Sequence, residues 1–134
     1  MREILCRGKR VDNGELIEGF YAKSGDRTFI LIDNDFAVGY VIMKEVYPET
    51  VGEYTGLTDK NGKKIFEGDI VECKWFNAMV RIEHRKHLII FSDGSFCAEW
   101  YIGQDNYHND LHNTFDIKVI GNIHDNPELL EVEK

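Results

Sequence analysis

The sequence predicts a mainly β fold, a β-rich α+β class, in two parts. An N-terminal β-rich subdomain spans residues 1–58, and a small barrel with a C-terminal helical turn spans 59–134. Three observations predict it. Short β-branched and aromatic runs are separated by Asp, Asn and Gly clusters, the pattern of strands and tight turns. Asp69–Phe76 has a period of two, with Val71, Cys73 and Trp75 on one face and Glu72 and Lys74 on the other. The second half fits about five short strands into about 60 residues, a spacing suited to a partly open barrel in which curvature lets short strands cover one core.

Each element follows from local chemistry. Arg2–Arg7 reads as a strand, Asp12-Asn13-Gly14 as a turn and Glu15–Ala22 as a second strand. Ser24-Gly25-Asp26 turns the chain into the β-branched run Thr28–Ile32. Asp33-Asn34-Asp35 reads as another turn before Phe36–Met43, and Lys44–Tyr54 as an irregular or edge segment around Pro48. Thr58–Lys63 is a hairpin loop, because Asn-Gly takes the positive φ that tight turns need. After Asp69–Phe76, Asn77–His84 alternates again, and His84 and His87 are expected to flank a turn. His87–Phe91 reads as a buried strand, Ser92–Ser95 as a turn, and Phe96–Tyr101 as a strand. Gly103–Asn113 is polar and is expected to be a loop with one helical turn near Asn109–His112. Ile117–Ile123 is the last strand. Asn126-Pro127 starts a short helical turn, since proline fits the first helical position, where its missing N–H is not needed.

Composition narrows the function. The chain has 134 residues, 43% of them hydrophobic, enough for one compact domain or two small ones. No apolar run approaches the roughly 20 residues of a membrane helix, and MREILCRGKR is too short and too charged for a signal peptide. A soluble, cytoplasmic protein without a membrane partner is expected. Cys6, Cys73 and Cys97 are odd in number and far apart, which fits reduced, buried thiols. Residues 1–66 carry a net −1 and residues 67–134 a net −7, within a total of −8. That balance disfavours nucleic acid, whose binding needs cations to displace condensed counterions. The basic runs Arg7–Arg10 and Lys60–Lys64 read mainly as solvated turns.

No catalytic, cofactor or metal motif stands out. His84 and His87 have an H-x2-H spacing, and His108 and His112 stand at i, i+4. No HExxH accompanies them, and a tetrahedral site needs four ligands, or three and water. Asp105, Asp110 and His124 would complete such a site only by coincidence of folding. Ser24, Ser92 and Ser95 sit in turns, and the glycines form no phosphate-binding loop. Gly68-Asp69 reads as a bend with a carboxylate bonding nearby amides. No cofactor, metal or catalytic residue is predicted. The aromatics Trp75, Phe76, Trp100, Tyr101 and Tyr107 are the candidate interaction surface. Neighbours on a strand point to opposite faces, so Trp75-Phe76 and Trp100-Tyr101 each send one ring away from the core.

Four segments carry a family resemblance: REILCRGKRVDNGELIEGFY, VYPETVGEYTGLTDKNGKKIFEGDIVE, LIIFSDGSF and VIGNIHDNPELL. The second and fourth are the specific ones. Together they resemble the YopX-like proteins of phages and prophages over nearly the whole chain. The resemblance implies an N-terminal β-rich region followed by an SH3-like barrel entered at Glu67-Gly68-Asp69-Ile70-Val71. It also implies an oligomeric, phage-borne accessory protein without an established activity or catalytic set. The expected function is therefore non-enzymatic: a self-assembling module that binds a host or phage protein. The alternatives are a nucleic-acid accessory or DNA-mimic protein and, second, a metal-dependent enzyme.

Overall fold

A computed structural model describes residues 4–35, 40–77, 79–102 and 104–130 of the chain. It is mainly β, with eleven strands and three one-turn 3-10 helices among the described residues. Two compact units emerge, Met1–Gly56 and Leu57–Lys134.

In the first unit the strands are β1 (Cys6–Lys9), β2 (Leu16–Ser24), β3 (Arg27–Asp35), β4 (Tyr40–Val46) and all but the last two residues of β5 (Gly52–Thr58). They lie in the order β4-β3-β2-β1-β5, all antiparallel. Cys6, Ile30 and Val46 are buried together, with Ile17 and Val51 packed against them. Gly8 lies so close to Val46 that a Cβ there would meet it at 3.0 Å, so a side chain at position 8 would displace the core. Pro48 opens a one-turn helix, Pro48–Thr50. There the Thr50 hydroxyl donates to Tyr47 O at 2.6 Å and accepts from Lys9 N–H at 2.9 Å. The stretch expected to be irregular is thus two ordered strand ends joined by a tied turn. Asp33-Asn34-Asp35 is not a turn either. It continues β3 beyond a bulge between Leu31 and Asp33, because pairing with β4 overrides the turn preference of three short polar residues. The part of the expected strand Phe36–Met43 over 36–39, and Arg2 and Glu3 of the first strand, lie outside the described residues.

The second unit holds β6 (Lys64–Phe66), β7 (Asp69–Phe76), β8 (Ile82–Ser92), β9 (Ser95–Ile102), β10 (Asp105–Asp110) and β11 (Phe115–Asn122). Five of them form an antiparallel sheet, β10-β9-β8-β7-β11. One face carries the core of Ile65, Val71, Cys73, Ile89, Ala98 and Leu111. β7 has the predicted bounds and alternation. The β8–β9 turn is the predicted one: Asp93 and Gly94 both have positive φ, at 51° and 84°, as a two-residue hairpin of this hand requires.

Two expectations fail here for instructive reasons. His84 and His87 do not flank a turn; both lie within β8, and the turn is Asn77–Arg81 instead. Asn77 makes it, since its Oδ1 accepts the N–H groups of Met79 at 2.9 Å and Arg81 at 3.1 Å. Gly103 lies outside the described residues, and the rest of the expected loop to Asn113 is not a loop. Most of it is β10, an edge strand whose Asp105, Asn106 and His108 side chains face solvent, as edges that avoid further pairing often do. The helical turn falls at Leu111–Asn113, capped by Asp110, whose Oδ1 accepts His112 N–H at 3.0 Å.

Polar side chains lock the unit at three places. The Asp59 carboxylate accepts N–H groups from Asn61, Lys63 and Val119. Asp69 Oδ2 accepts Phe66 N–H at 2.8 Å, and Gly68, at φ 93°, makes the bend between them. Asn122 Oδ1 accepts His124 and Asp125 N–H, starting the turn that leads to the Pro127–Leu130 helix.

Candidate functional site

The five candidate aromatics divide by strand parity into two groups. Trp75 on β7 and Trp100 on β9 both point to the core face, with ring centroids 4.8 Å apart. Tyr107 on β10 pairs across the sheet with Trp100, and their rings stack at 5.5 Å. Trp75, Trp100 and Tyr107 therefore form one ladder. It runs from buried Trp100 to Tyr107, which is 44% exposed. Phe76 and Tyr101 lie on the other face of the sheet. Phe76 stacks on Phe115 at 5.3 Å. Tyr101 is half-buried beside Glu99; burial, then the hydrogen bond and charge of Glu99, push its hydroxyl up to about 12.

Beneath the ladder sits a pair that the sequence reading did not single out. His87 is fully buried, edge-on to Trp100 at 5.4 Å, with Nδ1 3.3 Å from Cys73 Sγ. Nδ1 also lies 2.9 Å from Arg85 O. A carbonyl only accepts, so Nδ1 carries the proton and Nε2 keeps a lone pair without a partner. A thiol beside an imidazole invites a nucleophile reading, but the electrostatics oppose it. Burial pushes the Cys73 thiol up to about 12, and burial pulls His87 down to about 4 against the help of Arg85 O. At neutral pH both are uncharged, and a neutral buried thiol is inert. The register gives the signal that finds this pair: Val71 faces the core and sits opposite His87, so His87 must face the core as well.

The other histidines do not converge. His84, three residues from His87, lies on the opposite face of β8, 3.7 Å from Glu72. His108 is in β10 and His112 in the following helical turn. Among the described residues no group of three or more His, Cys, Asp or Glu is placed to hold a metal ion. No helix among them is long and apolar enough to cross a membrane. The basic turn exposes Lys60, Lys63 and Lys64 together. A second feature missed in the sequence is the apolar β7–β8 hairpin end. Its residues were read as an alternating strand, which hides a turn made by a single asparagine side chain.

The chain matches a family model described as YopX protein over residues 13–131. It is similar to the crystal structure of protein EF1440 from Enterococcus faecalis, with a TM-score of 0.53 and 25% identity, over 98% of this chain and 100% of that one. No curated protein matches it. A match over residues 13–131, most of the length, makes this chain a member of the YopX protein family.

Proposed function

We infer that the protein is a non-enzymatic, phage- or prophage-encoded accessory protein that works by protein–protein contact, through self-assembly and capture of a host or phage protein. We read its second unit as an SH3-like small barrel left open between β10 and β11. The short strands, the core on one face and the irregular register of β11 support that reading. The observation that carries the function is the aromatic ladder. Trp100 anchors it in the core, and Tyr107 extends it to the surface. Rigid aromatics that are apolar on their faces and polar at one end are enriched where proteins meet. On the opposite face Phe76, with Phe115 behind it, offers a second apolar contact.

Sedimentation equilibrium of the wild type and of a Phe76→Ser, Tyr107→Ser variant tests self-assembly. The expected result is an oligomer that dissociates in the variant. A monomer in both would remove self-assembly from the reading.

A nucleic-acid role is the second reading, favoured by the three exposed lysines of the Asp59–Lys64 turn. It requires binding that falls steeply with salt and with Lys63→Glu, Lys64→Glu.

A further inference from the structure

We propose that the end of the β7–β8 hairpin is a preorganised docking knob for a partner protein that offers an apolar pocket with an acidic rim. The proposal rests on the protein-contact reading above and adds the chemistry of the partner.

Four large apolar residues lie open within seven positions: Phe76 at 59% exposure, Met79 at 74%, Val80 at 77% and Ile82 at 58%. Phe76 and Ile82 face each other across the hairpin, and Met79 and Val80 occupy its turn. Isolated exposed apolar residues are ordinary, but a contiguous group marks an interaction site.

The turn is built to hold this group out. Asn77 N–H donates to Arg81 O and Val80 N–H to Asn77 O, each at 2.9 Å. Asn77 Oδ1 takes the Met79 and Arg81 amides, and its Nδ2 is fixed by Glu83 Oε1 at 2.8 Å. Val80 nonetheless has φ 59°. A β-branched residue rarely adopts that conformation, and glycine would be the favourable choice there. A strained valine at an exposed turn is costly to stability, and contact with a partner is a reason to keep an apolar side chain in that place.

Charge selects the partner class. Lys74–Lys86 holds four Lys/Arg and one Glu, a net +3 within a chain of net −8. Arg81, Arg85 and Lys86 are exposed, as is His84, while Lys74 is engaged by Asp116 at 3.2 Å. The rest of the chain is acidic. It would be repelled by an extended anionic surface such as a bilayer or a duplex, where cations must act over a wide area. A protein pocket asks only for local complementarity: apolar walls for Met79 and Val80, and carboxylates for the cations behind them. A turn held by its own hydrogen bonds also loses less entropy on docking.

Selection from a phage-displayed library of bacterial gene fragments tests the proposal, using the full-length protein as bait. Three variants are compared: Met79→Ser, Val80→Gly; Arg81→Glu, Arg85→Glu; and Tyr107→Ser. Val80→Gly relieves the backbone strain, so a lost interaction in the first variant is not a failure to fold, and thermal melts check this. The expected result is enriched fragments of net negative charge. Their binding falls about tenfold or more with each of the first two variants, in line with loss of a packed anchor or of complementary charge. Enriched fragments that ignore the tip but fail with Tyr107→Ser overturn the knob and leave the protein-contact reading standing. An empty selection overturns the knob. Tip-dependent binding to phosphatidylglycerol vesicles or to duplex DNA, with no fragment enriched, overturns both.

Discussion

The Asp59 carboxylate accepts the Val119 N–H at 3.0 Å, across 60 positions of the chain. The same carboxylate holds the Asn61 and Lys63 amides at 2.9 Å each, and Lys60 N–H donates to Ile117 O at 2.8 Å. One side chain therefore shapes the hairpin turn and fixes β11 beside it. Burial alone would push its pKa up. The three amide donors and the Lys63 charge outweigh burial and hold it below the usual carboxylate range.

Replacing Asp59 with alanine leaves three amides without their acceptor. The expected loss of stability is about 2–4 kcal/mol, since bonds to a charged acceptor are the stronger kind. Asp59→Asn keeps one acceptor oxygen and is expected to lose less. Urea unfolding of the two variants checks the order. Because the folded pKa is depressed, this contribution is complete above the unfolded carboxylate pKa near 4 and disappears as pH falls through the folded value.

His87 sets a second acid limit at higher pH. Its pKa falls from 6.5 to about 4 on folding, so the unfolded chain binds the extra proton between those values. Stability from this group is whole above pH 6.5 and is lost as pH drops toward 4, by up to about 3 kcal/mol. His87→Leu is expected to flatten the stability profile over that window. An unchanged slope in urea titrations at pH 7, 6, 5 and 4.5 would show that His87 is not the responsible group.

Gly121 meets the C-terminal turn closely. A Cβ there would stand 2.7 Å from Asn126 Oδ1 and 2.9 Å from Leu129 Cδ1. Asn126 cannot easily give way, because its Oδ1 accepts the Asn122 N–H at 3.3 Å and its own N–H is bonded to Asn122 O at 2.8 Å. Gly121→Ala is expected to cost about 1–3 kcal/mol through overpacking. Hydrogen exchange should report the loss first at Asn126 and Leu129.

The two ends of the aromatic ladder should separate stability from association. Trp100→Ala removes a buried ring and is expected to cost about 3–5 kcal/mol. Tyr107→Ser, at the exposed end, is expected to change stability by about 1 kcal/mol or less while weakening association. Paired thermal melts and sedimentation of the two variants check this division.

The sequence was most legible where backbone chemistry is local. Asp69–Phe76 shows its alternation openly, Asp93-Gly94 supplies the two positive φ angles of its turn, and Pro127 begins the last helical turn. It was least legible where partners lie far along the chain. β10 is polar because it is an edge, and a polar run without its neighbour reads as a loop. Asn77 bends β7 into β8 through its side chain, so the residues around it looked like strand. The candidate aromatics were visible as residue types. That Trp75, Trp100 and Tyr107 stack while Phe76 and Tyr101 turn away follows from pairing register, as does the burial of His87.

The central claim is that this protein acts by binding protein. Affinity capture from a bacterial lysate tests this most directly, with and without nuclease, for the wild type and the Phe76→Ser, Tyr107→Ser variant. The account predicts a stoichiometric protein that survives nuclease treatment and is lost with the variant. Capture that vanishes with nuclease, or an empty eluate, would contradict it; a protein that the variant retains in full would place the contact away from Phe76 and Tyr107.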